Sequence, residues 1–119
     1  MAVDLETRIR NAWLGRVSGC MLGKPVEILS MRQGHDALTN YLSTAGAVEL
    51  RDYVPLVPDT MVASLFPETC RGHLEVAIPD DDINYTVLAL MLIEQYGLDF
   101  TTEDVGRAWL SWLPGGMTF

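Results

Sequence analysis

An all-α fold is what this 119-residue sequence predicts, and three segments carry the prediction. Residues 5–22, 82–96 and 102–113 each combine apolar positions at helical spacing with a capping residue before them and a breaker after them, so no substantial sheet is expected. Nearly half of the residues, 49%, are hydrophobic, which excludes disorder and suffices for the core of one domain.

Asp4 or a neighbour opens the first helix, in which Leu5, Ile9, Ala12, Trp13, Val17 and Met21 recur on one side. Gly15, Gly19 and Gly23 form a second stripe. Glycine weakens a helix, so the stripe requires either close approach of another helix or room for a ligand beside the helix end. Pro25 is then expected to stop or kink the helix. Glu27 falls just past that break, where the dipole of an ending helix disfavours an acid. It reads either as a solvated carboxylate or as the partner of a cation.

The middle of the chain is less regular. A short helix is expected over 34–42, with His35 at the surface or in a cap and Gly46 in a turn. Pro55, Pro58 and Pro67 break up the next stretch, while Asp59 is placed to cap a short helix over 61–66. Arg71, Gly72 and His73 make a polar turn shortly before an acidic run. Two readings of this long segment stay open, a wrap around an active cleft and a plain solvent-facing connection.

The acidic run is Asp80, Asp81 and Asp82, and the apolar segment from Ile83 to Ile93 follows it at once. Pro79 and the three acids suit a helix start, Gly97 suits its end, and the helix between them is expected to be buried. Capping needs one acid. Three adjacent carboxylates repel one another unless water screens them or a cation offsets them, and hard divalent ions such as Mg2+ take oxygen ligands of this kind. A solvated acidic cap and a metal site therefore stand side by side as readings. The last helix opens on a capping box, Thr101 with Asp104, and turns Val105, Ala108, Trp109 and Trp112 inward; Pro114, Gly115 and Gly116 end it.

Sixteen acids against eight bases give a formal charge of −8, which argues against a nucleic-acid surface or an anionic membrane. The longest apolar run is too short to span a bilayer, and the N-terminus lacks the pattern of a signal peptide. The expectation is a cytoplasmic protein. Cys20 and Cys70 read as buried thiols, since no spacing of Cys and His suits zinc.

Two of these segments, GRVSGCMLGKPVE at 15–27 and DDDINYTVLAL at 80–90, together with the later FTTEDVGRAWLSWLP, make the sequence resemble the ADP-ribosylglycohydrolases. The resemblance implies an all-helical bundle with a binuclear Mg2+ centre that hydrolyses the glycosidic bond between ADP-ribose and a protein side chain or small molecule. It implies metal ligation by Asp80, Asp81 and Asp82, where the family has Thr-Asp-Asp, and a catalytic role in metal or substrate handling for Glu27. Cys20 stands where many members have Asp. The family is two to three times longer, and its C-terminal Asp-rich ligand group has no counterpart here. Residues 1–119 thus read as the N-terminal part of one such domain, with little turnover alone and with self-association or a complementary chain to cover its apolar faces. The main alternative is a non-catalytic ADP-ribose-binding or assembly module. A weaker one takes the DDxxN at 80–84 as a Mg2+–diphosphate site of the terpenoid-synthase kind, without the second metal motif or basic clamp that such a site needs.

Overall fold

The computed structural model describes residues 3–113, and every regular element among them is helical. They comprise helices α1 (Leu5–Thr44), α2 (Met61–Leu65), α3 (Asp81–Tyr96) and α4 (Thr102–Trp112), with a 3-10 turn at Pro67–Thr69. The fold class is the expected one. Two compact units divide the chain, one through Ile78 and the other from Pro79.

In the first unit α1 starts on Asp4, whose Oδ1 accepts the Thr7 N–H at 2.9 Å while its Oδ2 accepts the Thr7 hydroxyl at 2.8 Å. The helix does not end at Pro25. It runs on to Thr44, and its one break is at Gly34, where φ of 79° and ψ of −174° leave the helical region. Proline inside a helix forfeits one hydrogen bond and crowds the preceding turn. Met21, Lys24 and Pro25 are all buried here, so packing on this side of α1 offsets that cost. Gly34 takes the break instead because a positive φ is open to glycine without a Cβ clash.

The core of this unit gathers Leu29 and Tyr41 from α1, Val54 from the following loop, Val62 from α2 and Cys70 from beyond the 3-10 turn. Tyr41 ties the loop to the helix, since its hydroxyl donates to the Pro55 carbonyl at 2.7 Å and accepts the Val57 N–H at 3.3 Å. The short helix α2 is capped by Thr60, whose hydroxyl accepts the Ala63 N–H, and not by Asp59. Asp59 sits one residue too early with a φ of 59°, a left-handed conformation that Asp tolerates better than most residues. Cys70 is buried as expected and Cys20 is half-buried; both are thiols, not bridged to each other.

The second unit is the antecedent acidic turn, α3 and α4. Ring stacking of Tyr85 on Trp109, with centroids 5.1 Å apart, joins the two helices, and Leu88, Leu92 and Ala108 are buried. Gly97 closes α3 with a φ of 72°, as its position predicts. The expected capping box is present on α4: Asp104 Oδ2 accepts the Thr101 N–H at 2.9 Å, and the Thr101 hydroxyl accepts the Asp104 N–H at 3.3 Å. The Thr101 N–H first, then the Thr101 hydroxyl and Arg107, hold the Asp104 carboxyl below its ordinary value of 3.8. A carboxylate of this kind stabilises the fold above its unfolded pKa, and the contribution goes as pH falls through the lower folded value. Helicity of α4 is therefore expected to decline on acidification below about pH 4, and Asp104→Ala to show the loss already at neutral pH. Circular dichroism of both proteins across that range measures it. The residues expected to end α4, Pro114 to Gly116, lie outside the described residues.

Two apolar faces differ from expectation. Leu5 and Ile9 of α1 are 67% and 62% exposed, and of the apolar run in α3 only Leu88 and Leu92 are buried, with Val87, Leu90 and Ile93 facing solvent. Periodicity identifies which side chains share a face. What covers the face is a separate matter, and no described residue covers these.

Candidate functional site

Asp80 begins the site. It is the N-cap of α3, with an extended backbone (φ −156°, ψ 145°) that folds its carboxylate back over the first turn, so that Oδ1 accepts the Asp82 N–H at 3.0 Å. Its backbone carbonyl accepts the Asn84 N–H at 2.9 Å and closes that turn. Asp80 is only 3% exposed. A carboxylate so far out of water needs donors or cations around it, and the positive end of α3 provides part of that compensation. Asp81 is half-buried and Asp82 is exposed.

Of the three acids, the structure brings Asp80 and Asp82 together, with carboxylate oxygens within 4.8 Å of one another. Asp81, between them in sequence, falls outside this pair. Two oxygens on one Mg2+ lie at most about 4.2 Å apart, given ligand distances of about 2.1 Å, so a small side-chain rotation brings the pair to bonding range. Both donors are hard oxygens. The acidic turn therefore fits a hard divalent cation in chemistry and in spacing.

Glu27 belongs to the other unit, on α1 between the buried Pro25 and Leu29. The reason for singling it out changes, because α1 does not end there and the dipole argument lapses. What the structure gives it is a cation. Lys24 lies one turn earlier with its Nζ 3.8 Å from Glu27 Oε2, while the Glu27 side chain keeps 47% of its surface exposed.

A Cβ built on Gly15, Gly19 or Gly23 meets no atom within 4 Å, so the stripe packs against no backbone among the described residues. Room is what it supplies. Ser18, Gly19 and Leu22 line one wall of an open cavity of about 360 Å³, and Leu50, Arg51, Asp52 and Tyr53 line the other. The glycine stripe signalled room along the first wall, whereas the second wall is irregular loop and was not legible beforehand. Arg71 and His73 lie in an exposed turn, with Gly72 at a φ of 84°. Their backbone anchors it: the Arg71 N–H donates to the Val54 carbonyl at 2.8 Å and the His73 N–H to that of Cys70 at 3.0 Å.

Fold and site together define an all-α protein whose acidic helix start suits a hard metal ion. A family model for ADP-ribosylglycohydrolase matches residues 1–118, and the chain belongs to that family. Comparison with curated proteins and with solved structures returned no significant match. No helix among the described residues is long and apolar enough to cross a membrane.

Proposed function

We propose that the protein hydrolyses the glycosidic bond between ADP-ribose and a protein side chain or small molecule, with Mg2+ as cofactor, in the cytoplasm. The observation that carries this reading is the Asp80–Asp82 carboxylate pair at the start of α3 in a chain of this family. Asp80, Asp81 and Asp82 are the residues that would hold the metal, Asp81 through rotation of its half-buried side chain. Bound there, Mg2+ would supply positive charge to offset developing negative charge and would lower the pKa of a water. Glu27 accepts a proton from the attacking water or fixes a substrate hydroxyl, and the turn at 71–73 contacts the substrate. Each octahedral ion takes about six ligands, and two ions need more carboxylates than the triplet offers. Residues 1–119 alone are expected to turn over little.

An ADP-ribose release assay tests this on residues 1–119 and on any longer chain that contains them, each with Mg2+ and with chelator. Mg2+-dependent release supports the proposal. No release from a folded, complete protein on arginine-, serine- or nucleic-acid-linked ADP-ribose overturns it.

The exposed apolar faces of α1 and α3 favour the assembly side of a second reading, a non-catalytic ADP-ribose-binding or assembly module. Those faces make self-association or a complementary chain the expected state of residues 1–119. Sedimentation showing a stable monomer across concentration counts against that, and calorimetric titration with ADP-ribose, with and without Mg2+, separates a binding module from an inert one.

A further inference from the structure

Lys24 is 7% exposed, and lysine is seldom buried so deeply unless something compensates its charge. Phe66 and Glu27 are among the groups that face the ammonium. The ring of Phe66, at the junction of α2 and the 3-10 turn, has its centroid 5.1 Å from Nζ, within the range of a cation–π contact. Glu27 Oε2 lies 3.8 Å away on the next turn of α1. The two ends of this arrangement differ in freedom: the lysine is enclosed by packing, whereas a half-exposed glutamate otherwise samples its rotamers in solvent. An ion pair between two exposed side chains contributes little, because both must be ordered to make it. Here one partner is already ordered by burial, so the pair can fix the other.

We infer that Lys24 is the positioning residue for Glu27: its buried ammonium, held against Phe66, keeps Oε2 in one place and presents Oε1 to the reacting water or substrate hydroxyl. The inference rests on the role proposed for Glu27 above. It makes the α2 junction, through Phe66, part of what orients the site, and it explains why a charged residue is kept within the packed side of α1. A purely structural lysine would contribute its stem packing and its contact with Phe66 to stability, and would leave kcat independent of Glu27.

Lys24→Met separates the two, because methionine keeps an unbranched stem and a sulfur contact to the ring but carries no charge. In the complete protein that releases ADP-ribose, Lys24→Met is expected to lower kcat about tenfold with KM within about twofold, and Lys24→Arg to restore part of the loss. Added to Glu27→Gln, Lys24→Met is expected to cost nothing further, since there is no carboxylate left to position. Should Lys24→Met fail to fold, Phe66→Leu carries the test, because it leaves the charge and removes the ring; its loss of kcat must likewise vanish in the Glu27→Gln background. Unchanged kcat in both variants, or losses that add to that of Glu27→Gln, overturn the positioning role alone. Absence of release from the wild-type protein removes the role of Glu27 and that of Lys24 with it.

Discussion

Asp81→Asn and Asp82→Asn are each expected to cut Mg2+-dependent ADP-ribose release about 100-fold or more while leaving α3 folded. The substitution keeps the size of the side chain and one neutral oxygen, but removes the charge that makes the oxygen a good ligand for a hard cation. Folding is spared because the cap of α3 is Asp80, whose Oδ1 takes the Asp82 backbone N–H, and neither variant touches it. Asp80→Asn differs in kind. It alters a buried N-cap, so a loss of release there has to be read beside a helix melt, although Asn is itself a good cap. Raising Mg2+ separates the outcomes further: a weakened ligand set recovers part of its activity at high metal, whereas a misfolded turn does not. Equal release by wild type and both variants, with the chelator still inhibiting, would move the metal away from the acidic triplet.

The triplet was legible in the sequence because three adjacent carboxylates before an apolar helix are costly and conspicuous. Which two of them face each other was not. Residues two apart on a helix point in different directions, and Asp80 meets Asp82 only because its own backbone is extended and lies outside the helix. The helices α3 and α4 followed their local signals closely, since their caps, Asp80 and Thr101, and the breaker Gly97 lie within a few residues of the bonds they make. At Pro25 the local signal failed. Met21, Lys24 and Pro25 are all buried, Lys24 against Phe66 some forty residues away, and tertiary packing of this kind is not visible in the local sequence. Lys24 gave no signal for the same reason: a lysine on a helix reads as solvated until the partner elements are placed. The exposed faces of α1 and α3 show the converse, with apolar periodicity present and no described partner to bury it.

The second large effect is expected at Tyr41, where the long helix and the irregular segment after it are joined. Tyr41→Ala removes a buried ring from among Leu29, Val54, Val62 and Cys70, a change of about 3–5 kcal/mol for an aromatic side chain in a core. Domains of this size are stable by about 5–15 kcal/mol, so the variant is expected to leave the first unit marginal or unfolded. Tyr41→Phe isolates the polar part. It keeps the ring and strips the Pro55 carbonyl and the Val57 N–H of their shared partner, at a cost of about 1–3 kcal/mol if water does not replace it. Cys70 supplies the readout, since it lies in the same cluster. Burial first, and then Glu68, raise its thiol above the ordinary value of 9.0, so in the folded protein it is both protonated and enclosed at pH 8. Urea unfolding followed by alkylation, with the label mapped to Cys70 by mass, is expected to show modification at progressively lower urea from wild type to Tyr41→Phe to Tyr41→Ala. A Tyr41→Phe midpoint equal to that of wild type would mean that Pro55 and Val57 find water when the hydroxyl is gone, and that the ring alone holds the loop to α1.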